Sequence, residues 1–309
     1  MNKTVYIITG PTAVGKSEVA LKLASKLDGE IINCDSIQLY KYLDIGSAKP
    51  SEEEMKIVPH HLFDMVDPDF NMTVATYQKL AFACINNILE RGKTPILVGG
   101  TGLYINSVLY NMDFAAKPDT YERREELEKM AEERGAEYMH AYLTAIDEDC
   151  ASRIHPNNTR KIIRAIEAFE AGEGIKPLDN CELNENYDFK FYALTMDREW
   201  LYAKINNRVL KLVKAGLVDE VKSLLDMGYT SDTQALKGIG YKEIIEYLEG
   251  KTDQKTAVLN IMKNTRHFAK RQLTWLRRYD NLNWIEIQNG QTSDEIAEYI
   301  YEDSIKGEN

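Results

Sequence analysis

No apolar run in this 309-residue chain approaches the ~20 residues that a helix needs to cross a bilayer. Cysteine is sparse as well. Cys34, Cys84, Cys150 and Cys181 form no C-x-x-C pair, and none has a histidine at zinc-ligand spacing. No structural zinc site is expected, and the thiols should be reduced and mostly packed. No charged-then-apolar leader is visible: Met1-Asn2-Lys3 runs straight into a strand-like stretch. A cytoplasmic protein with no membrane contact is the expectation. There is no internal repeat and no low-complexity segment. What remains is an ordinary globular composition, 44% hydrophobic and 28% charged, with ample material for a core.

The formal charge is −11, which weighs against nucleic acid as a partner. Charge is more informative by segment. Residues 121–137, YERREELEKMAEERGAE, hold seven acids. Residues 151–164, ASRIHPNNTRKIIR, hold Arg153, Arg160, Lys161 and Arg164 and no acid, and residues 263–278, KNTRHFAKRQLTWLRR, hold six Lys/Arg and no acid. Two basic islands in an acidic chain call for an explanation.

Strand-like runs at 4–9, 29–36 and 94–102 alternate with helical patterns at Ser17–Leu27 and Val74–Arg91. Further strands are expected at 189–197 and 282–287. This order predicts an α/β core with a parallel sheet covered on both faces. Ligands of such sheets sit at the carboxyl ends of the strands. The loops that start at Gly10, Asp35 and Gly99 should therefore converge. The expected layout is a core over 1–116, continued by about 187–200 and 265–309. Helical segments fill about 117–186 and 201–264 and include an inserted lobe.

GPTAVGKS, residues 10–17, fits G-x-x-x-x-G-K-[ST] between a strand and a helix. Gly10, Thr12, Ala13, Val14 and Gly15 turn backbone N–H groups toward an anion, Pro11 completes the loop without a donor of its own, Lys16 adds a full charge, and the Ser17 hydroxyl reaches a Mg²⁺. The loop alone does not choose between ATP, GTP and another diphosphate. TPILVGG, the third strand, carries no acid for a metal, which argues against an ordinary ATPase. Asp35 leaves the second strand beside this loop. By position it is a magnesium ligand, a general base or a helix cap.

Seven stretches together resemble one family: GPTAVGKS, DSIQLYKYLDIGSAKP, PHHLFDMVDP, GGTGLYI, IHPNNTRKIIRAIE, LKGIGYKE and TRHFAKRQLTWLRR, in that order over about residues 4–280. The chain looks like a bacterial member of the tRNA dimethylallyltransferases. The resemblance implies a P-loop NTPase-like core with an inserted, tRNA-facing helical lobe. It implies transfer of a dimethylallyl group from dimethylallyl diphosphate, with Mg²⁺, to N6 of the adenosine just 3′ of a tRNA anticodon. One position departs from the pattern: Lys204 stands where relatives often have Arg, while Arg208 is kept.

Adenine N6 is a poor nucleophile, because its lone pair is delocalised into the ring. The electrophile must be activated, so the catalyst must hold the charge that develops on a leaving pyrophosphate. On this reading Lys16 and Arg208 are the catalytic clamp and Asp35 takes the amine proton. The resemblance also implies tRNA contacts at Asp35, Ser36, Ile37, Gln38 and Thr101. On the 263–278 helix, at about 100° per residue, Arg266, Lys270 and Arg277 share a face for phosphate contact, with Arg271 beside them and Phe268 and Trp275 opposite as core anchors. Arg160, Lys161 and Arg164, then Lys237, Gly240 and Lys242, are weaker versions of the same argument, and Arg124 is an extra candidate. Adjacent His60 and His61 point apart, so they make no metal face, and no role is derived for them. A monomer is expected. The alternatives are a P-loop small-molecule kinase, or a non-catalytic RNA-binding protein with a nucleotide-regulated core.

Overall fold

The computed structural model describes residues 3–112, 121–172 and 182–306. Cys181 lies outside them. Cys34, Cys84 and Cys150 are free thiols, and among the described residues no helix is long and apolar enough to cross a membrane.

Among the described residues, six parallel strands run in the order β3-β2-β4-β1-β5-β6: β1 (Thr4–Thr9), β2 (Gly29–Asn33), β3 (His60–His61), β4 (Thr94–Val98), β5 (Asp188–Thr195) and β6 (Asn283–Glu286). The alternation of side chains explains the two layers. Tyr6, Ile8, Ile31, Ile96, Val98 and Leu194 face α1 (Lys16–Leu27) and α12 (Ser293–Lys306). Val5, Ile7, Ile32, Leu97 and Phe191 face α3 (Val74–Glu90) and α4 (Gly102–Leu109). This is period-two burial on a sheet covered from both sides, hence the near-continuous apolar strands. The short helix α2 (Glu52–Ile57) precedes β3, a two-residue strand that sequence patterning does not reveal.

Contacts divide the chain into Met1–Tyr110 with Asn184–Asn309, and Asn111–Leu183. In the second unit, α5 (Tyr121–Ile146), α6 (Glu148–Ala151) and α7 (Thr159–Glu170) enclose their own core. Leu127, Met139 and Leu143 pack there with Ile162, Ile163 and Ile166. Residues 201–264, grouped above with the helical segments, fall in the first unit. There α8 (Arg198–Lys214), α9 (Leu217–Asp226), α10 (Tyr241–Leu248) and α11 (Gln254–Leu276) build a third cluster in that unit. Its apolar partners include Ile37, Tyr40, Leu43 and Ile45, from the segment that follows β2. This segment is thus held between the sheet and the helices.

Glu30, 4% exposed, is gripped by the Arg91 guanidinium and by His61 Nε2 at 2.6 Å. Arg91 first, then His61, holds its carboxyl below the usual range. His61 therefore has a structural partner, as a buried carboxylate requires.

The strand ends pack without room for side chains. A Cβ on Gly99 would overlap the Cys34 carbonyl, and Thr9 Oγ1 donates to the Gly99 carbonyl at 2.9 Å. Gly99→Ala should lower stability by about 1–3 kcal/mol, the usual cost of overpacking. Denaturant melting checks this, and an unchanged midpoint would show that β2 and β4 yield freely there.

Candidate active site

The phosphate loop joins β1 to α1. Gly10 (φ 139°), Ala13 (φ 66°) and Gly15 (φ 109°) lie in the left-handed region, which gives the loop the tight turn that a phosphate cradle needs. Gly10 also lies against the Leu194 carbonyl, so no larger residue fits. Val14 is buried beneath the loop and Pro11 is buried beside it. Lys16 Nζ donates to the carbonyls of Gly10 at 3.0 Å and Pro11 at 2.9 Å. Burial first, and then the Arg208 charge, push the Lys16 ammonium down to about 8, while Asp35 works in the opposite direction. Ser17 is exposed at the rim of the same pocket.

Asp35 sits just beyond β2. Its backbone N–H donates to Asn33 Oδ1, and its Oδ1 accepts the Ile37 N–H at 2.9 Å. This bond closes an Asx turn and not a helix cap, because no helix begins between Asp35 and Glu52. No other described group donates a hydrogen bond to this carboxylate, and it lines the pocket with Thr12, Lys16, Ser17, Gln38 and Arg208. Thr101 Oγ1 accepts the Ser36 N–H at 3.1 Å, which ties the β4 end to the Asp35 turn. The loops after β1, β2 and β4 thus meet as the sheet topology requires.

Gln38 Nε2 donates to the carbonyls of Ser47 at 3.0 Å and Ala48 at 3.1 Å. Its N–H₂ group is thereby committed to the protein, which leaves Oε1 for a ligand. Ile37 packs into the helical cluster rather than toward the pocket. Arg208 reaches in from α8, and its Nη2 donates to the Ser47 carbonyl at 3.4 Å. Burial pushes its pKa down, against the pull of Asp35. The pocket's apolar walls are Leu21, Ile31, Val98, Pro50 and Phe63, with His60 at the edge. His60 Nδ1 lies 2.8 Å from the Val58 carbonyl, and burial lowers its pKa.

Sequence reading missed Gln272. It lies in the recognisable KRQLTW stretch, but its role appears only in three dimensions. It is 6% exposed, Oε1 accepts the Thr12 N–H at 2.9 Å, and Nε2 donates to the Gly100 carbonyl at 3.0 Å. It therefore bolts α11 to the phosphate loop and to the β4 loop at once.

The α11 face needs correcting. Arg266 is half-buried, donates to Asn206 at 2.6 Å and lies over the Tyr202 ring. The exposed basic surface instead centres on Lys270, Arg271 and Arg278, with His267, Thr274 and the edge of Trp275. Arg277 is exposed. The buried line of α11 runs through Ile261, Ala269, Gln272 and Leu276, which rotates Arg266 onto α8. Trp275 packs against the core, as expected, but Phe268 does not. It stays partly exposed, with Arg271 5.7 Å from its centroid.

Lys237 and Lys242 are exposed on either side of buried Gly240 (φ 101°), whose N–H donates to Glu243. In the other unit Arg160, Lys161 and Arg164 are exposed on α7. Arg124 faces Glu128 at 3.3 Å and Glu167 at 3.9 Å. Lys204 lies over the Trp200 ring rather than acting as a fork. Among the described residues, no group of three or more His, Cys, Asp or Glu could cage a metal ion.

A parallel sheet with a strand–loop–helix turn of the phosphate-loop pattern, two inward cations and one carboxylate defines a P-loop-like fold with a polar pocket at its strand ends. The IPP transferase family model matches residues 38–279. A tRNA dimethylallyltransferase of Alkaliphilus oremlandii is 50% identical over 98% of this chain and 97% of that protein. One from Clostridioides difficile is 45% identical over 98% of both. Among solved structures, the tRNA isopentenylpyrophosphate transferase of Bacillus halodurans is 39% identical, with TM-score 0.71 and both chains fully covered. A eukaryotic dimethylallyltransferase acting on tRNA is 25% identical, with TM-score 0.80, over 99% of this chain and 78% of that one. The chain belongs to the IPP transferase family.

The Lys16 environment predicts a pH dependence of diphosphate affinity with a definite sign. Below about pH 8 the free protein already carries the ammonium. Above it, an anionic ligand must bring the proton back. The Kd of a diphosphate ester should therefore rise by about tenfold per pH unit above that point. Calorimetric titration from pH 7 to 9.5 checks this, with Lys16→Ala as the variant that binds weakly and lacks the step. A flat profile in the wild-type protein would dissociate Lys16 from ligand binding.

Proposed function

We propose that this chain transfers a dimethylallyl group from its diphosphate to N6 of the adenosine immediately 3′ of a tRNA anticodon. The observation that carries the reading is one pocket lined by Lys16, Ser17, Asp35 and Arg208. It is supported by full-length relatives named for this reaction.

The loop N–H groups and Lys16 grip the diphosphate, and the apolar walls receive the allyl tail. As the allylic C–O bond breaks, its electron pair goes to the pyrophosphate, where Lys16 and Arg208 stabilise the growing charge. Adenine N6 then forms the new C–N bond, and Asp35 accepts the N6 proton. The Ile37 N–H holds Oδ1, so the carboxylate has a fixed orientation toward the incoming amine. The target base must leave its stack to enter. A Mg²⁺ fits the donor set, because this ion binds through few protein oxygens together with substrate phosphates and water. Ser17 would hold it there, and it would supply further neutralisation of the diphosphate.

The exposed basic face of α11 is assigned to the tRNA backbone. Lys237, Gly240 and Lys242, and in the other unit Arg124, Arg160, Lys161 and Arg164, are assigned to further tRNA contact. Carbon rather than phosphorus is transferred: Thr94–Val98 carries no acid to hold a metal for phosphoryl transfer. A direct assay tests the whole reading. Purified protein, unmodified tRNA, Mg²⁺ and dimethylallyl diphosphate should yield prenylated adenosine by mass spectrometry, with no tRNA-stimulated release of phosphate from ATP. The reverse result would establish a kinase-like activity.

Two variants divide the roles. Asp35→Asn should keep donor and tRNA binding and lose ~10²–10⁴-fold in kcat, the usual contribution of a general base. Retention of more than about a tenth of kcat would remove Asp35 from proton transfer. Lys270→Glu with Arg271→Glu should weaken tRNA binding and leave the donor Kd alone. Each lost phosphate contact should flatten the salt dependence by about 0.7–0.9 of a log–log unit. An unchanged slope would make the face merely solvated.

A further inference from the structure

Glu220, on α9, makes four hydrogen bonds that neither the pocket chemistry nor the basic surfaces require. Oε2 accepts the N–H groups of Asp44 at 2.9 Å and Ile45 at 2.6 Å. Oε1 accepts the Gly46 N–H at 2.9 Å and the Tyr241 hydroxyl at 2.9 Å. Three consecutive amides cradled by one carboxylate form an anion nest whose anion is part of the protein.

The next residues, Ser47, Ala48 and Pro50, are one wall of the pocket. Gln38 and Arg208 both donate to the Ser47 carbonyl, so their positions depend on where this wall stands. Lys49 braces the same segment from within. Its side chain is 4% exposed and donates to the Tyr40 carbonyl, Asp44 and Asp64. Ala48 lies in the left-handed region at φ 50°, a conformation that persists only where the surroundings hold it.

The other end of the linkage is Tyr241, which is 1% exposed. Gly46 lies so close to its ring that a Cβ would come within 2.5 Å of Tyr241 Cζ. Tyr241 stands between Gly240 and Lys242, in the segment assigned above to tRNA contact. We propose that Glu220 is a positioning residue for prenyl transfer. It fixes the 44–49 wall against the donor pocket and, through the Tyr241 hydroxyl, ties that wall to the 237–242 segment. The inference rests on the prenyl-transfer reading and adds to it a mechanical link between acceptor contact and donor geometry. Glu220 itself touches neither substrate.

Glu220→Gln tests this, because an amide cannot present acceptors to N–H groups on both of its arms. Misplacement of the wall should lower kcat for prenyl transfer by about 10²-fold. Inorganic pyrophosphate, gripped by the phosphate loop, should keep its Kd within about threefold, and the amides of 44–46 should lose about tenfold or more in hydrogen-exchange protection. Tyr241→Phe removes one hydrogen bond, keeps the ring under Gly46 and guards against misfolding of the first variant. It should lower kcat less, and the double variant should be no worse than Glu220→Gln alone. Wild-type kcat in both variants, with unchanged exchange at 44–46, would overturn the proposal. So would a loss in kcat matched by an equal loss of pyrophosphate affinity. A wild-type protein that moves no prenyl group would instead overturn the underlying reading, and the exchange measurement would still decide whether Glu220 holds the wall.

Discussion

Two half-buried cations facing one carboxylate set the terms for the rest of this structure. Burial pushes both Lys16 and Arg208 downward, and Asp35 is the group that pulls back on each. Charges in that state need hydrogen-bond acceptors or they destabilise the fold. The protein supplies main-chain oxygens: Gly10 and Pro11 for Lys16, and Ser47 for Arg208. Carbonyls satisfy the donors without neutralising the charge. The pocket therefore keeps its positive potential for an anion, which a nearby carboxylate partner for each cation would cancel. On the proposed reading this is preorganisation for charge that appears on a leaving group.

Holding carbonyls at these positions requires rigid loops, and the rigidity comes from long-range side-chain bonds. Gln272 pins Thr12 and Gly100, and Gln38 pins Ser47 and Ala48. The Asp35–Pro50 segment inserts Ile37, Tyr40, Leu43 and Ile45 into the helical cluster, so helix packing and pocket shape are one problem. The glycines complete the arrangement. Gly100 lies against the Gln272 amide and Gly102 against the Trp275 ring, which lets α11 approach the strand ends.

The parts legible in the sequence are those whose cause is local. GPTAVGKS announces itself because a tight turn, an anion nest and a helix N-terminus are encoded by neighbouring residues. β1, β2 and β4 are legible because they are buried on both faces and apolar at their centres, whereas the two-residue β3 is too short to leave a pattern. Arg208 came from resemblance alone, since nothing near it in the chain points to a phosphate. Gln272 and Glu220 were not legible as anchors, because their partners are backbone groups some 170 to 260 residues away. Backbone groups carry no sequence signature. The face of α11 was misjudged for a related reason. Charge spacing gives the relative angles of Arg266, Lys270 and Arg277, but the absolute rotation depends on which apolar line the core takes. That line passes through Ala269, Gln272 and Leu276, and Arg266 turns onto Tyr202.

The net charge of −11 and the proposed polyanionic substrate are compatible once distance is considered. At physiological ionic strength a charge is largely screened beyond about 8–10 Å. A phosphate near Lys270 and Arg271 therefore feels that face, and the acids elsewhere contribute little. The acidic remainder still has an effect, because a phosphate backbone laid outside the basic patches meets like charge, which disfavours binding there. An acidic chain with confined basic patches is thus more selective about where a nucleic acid docks than a uniformly basic one. Gln272 makes the location consequential: the helix that presents the basic face is the helix bonded to the phosphate loop.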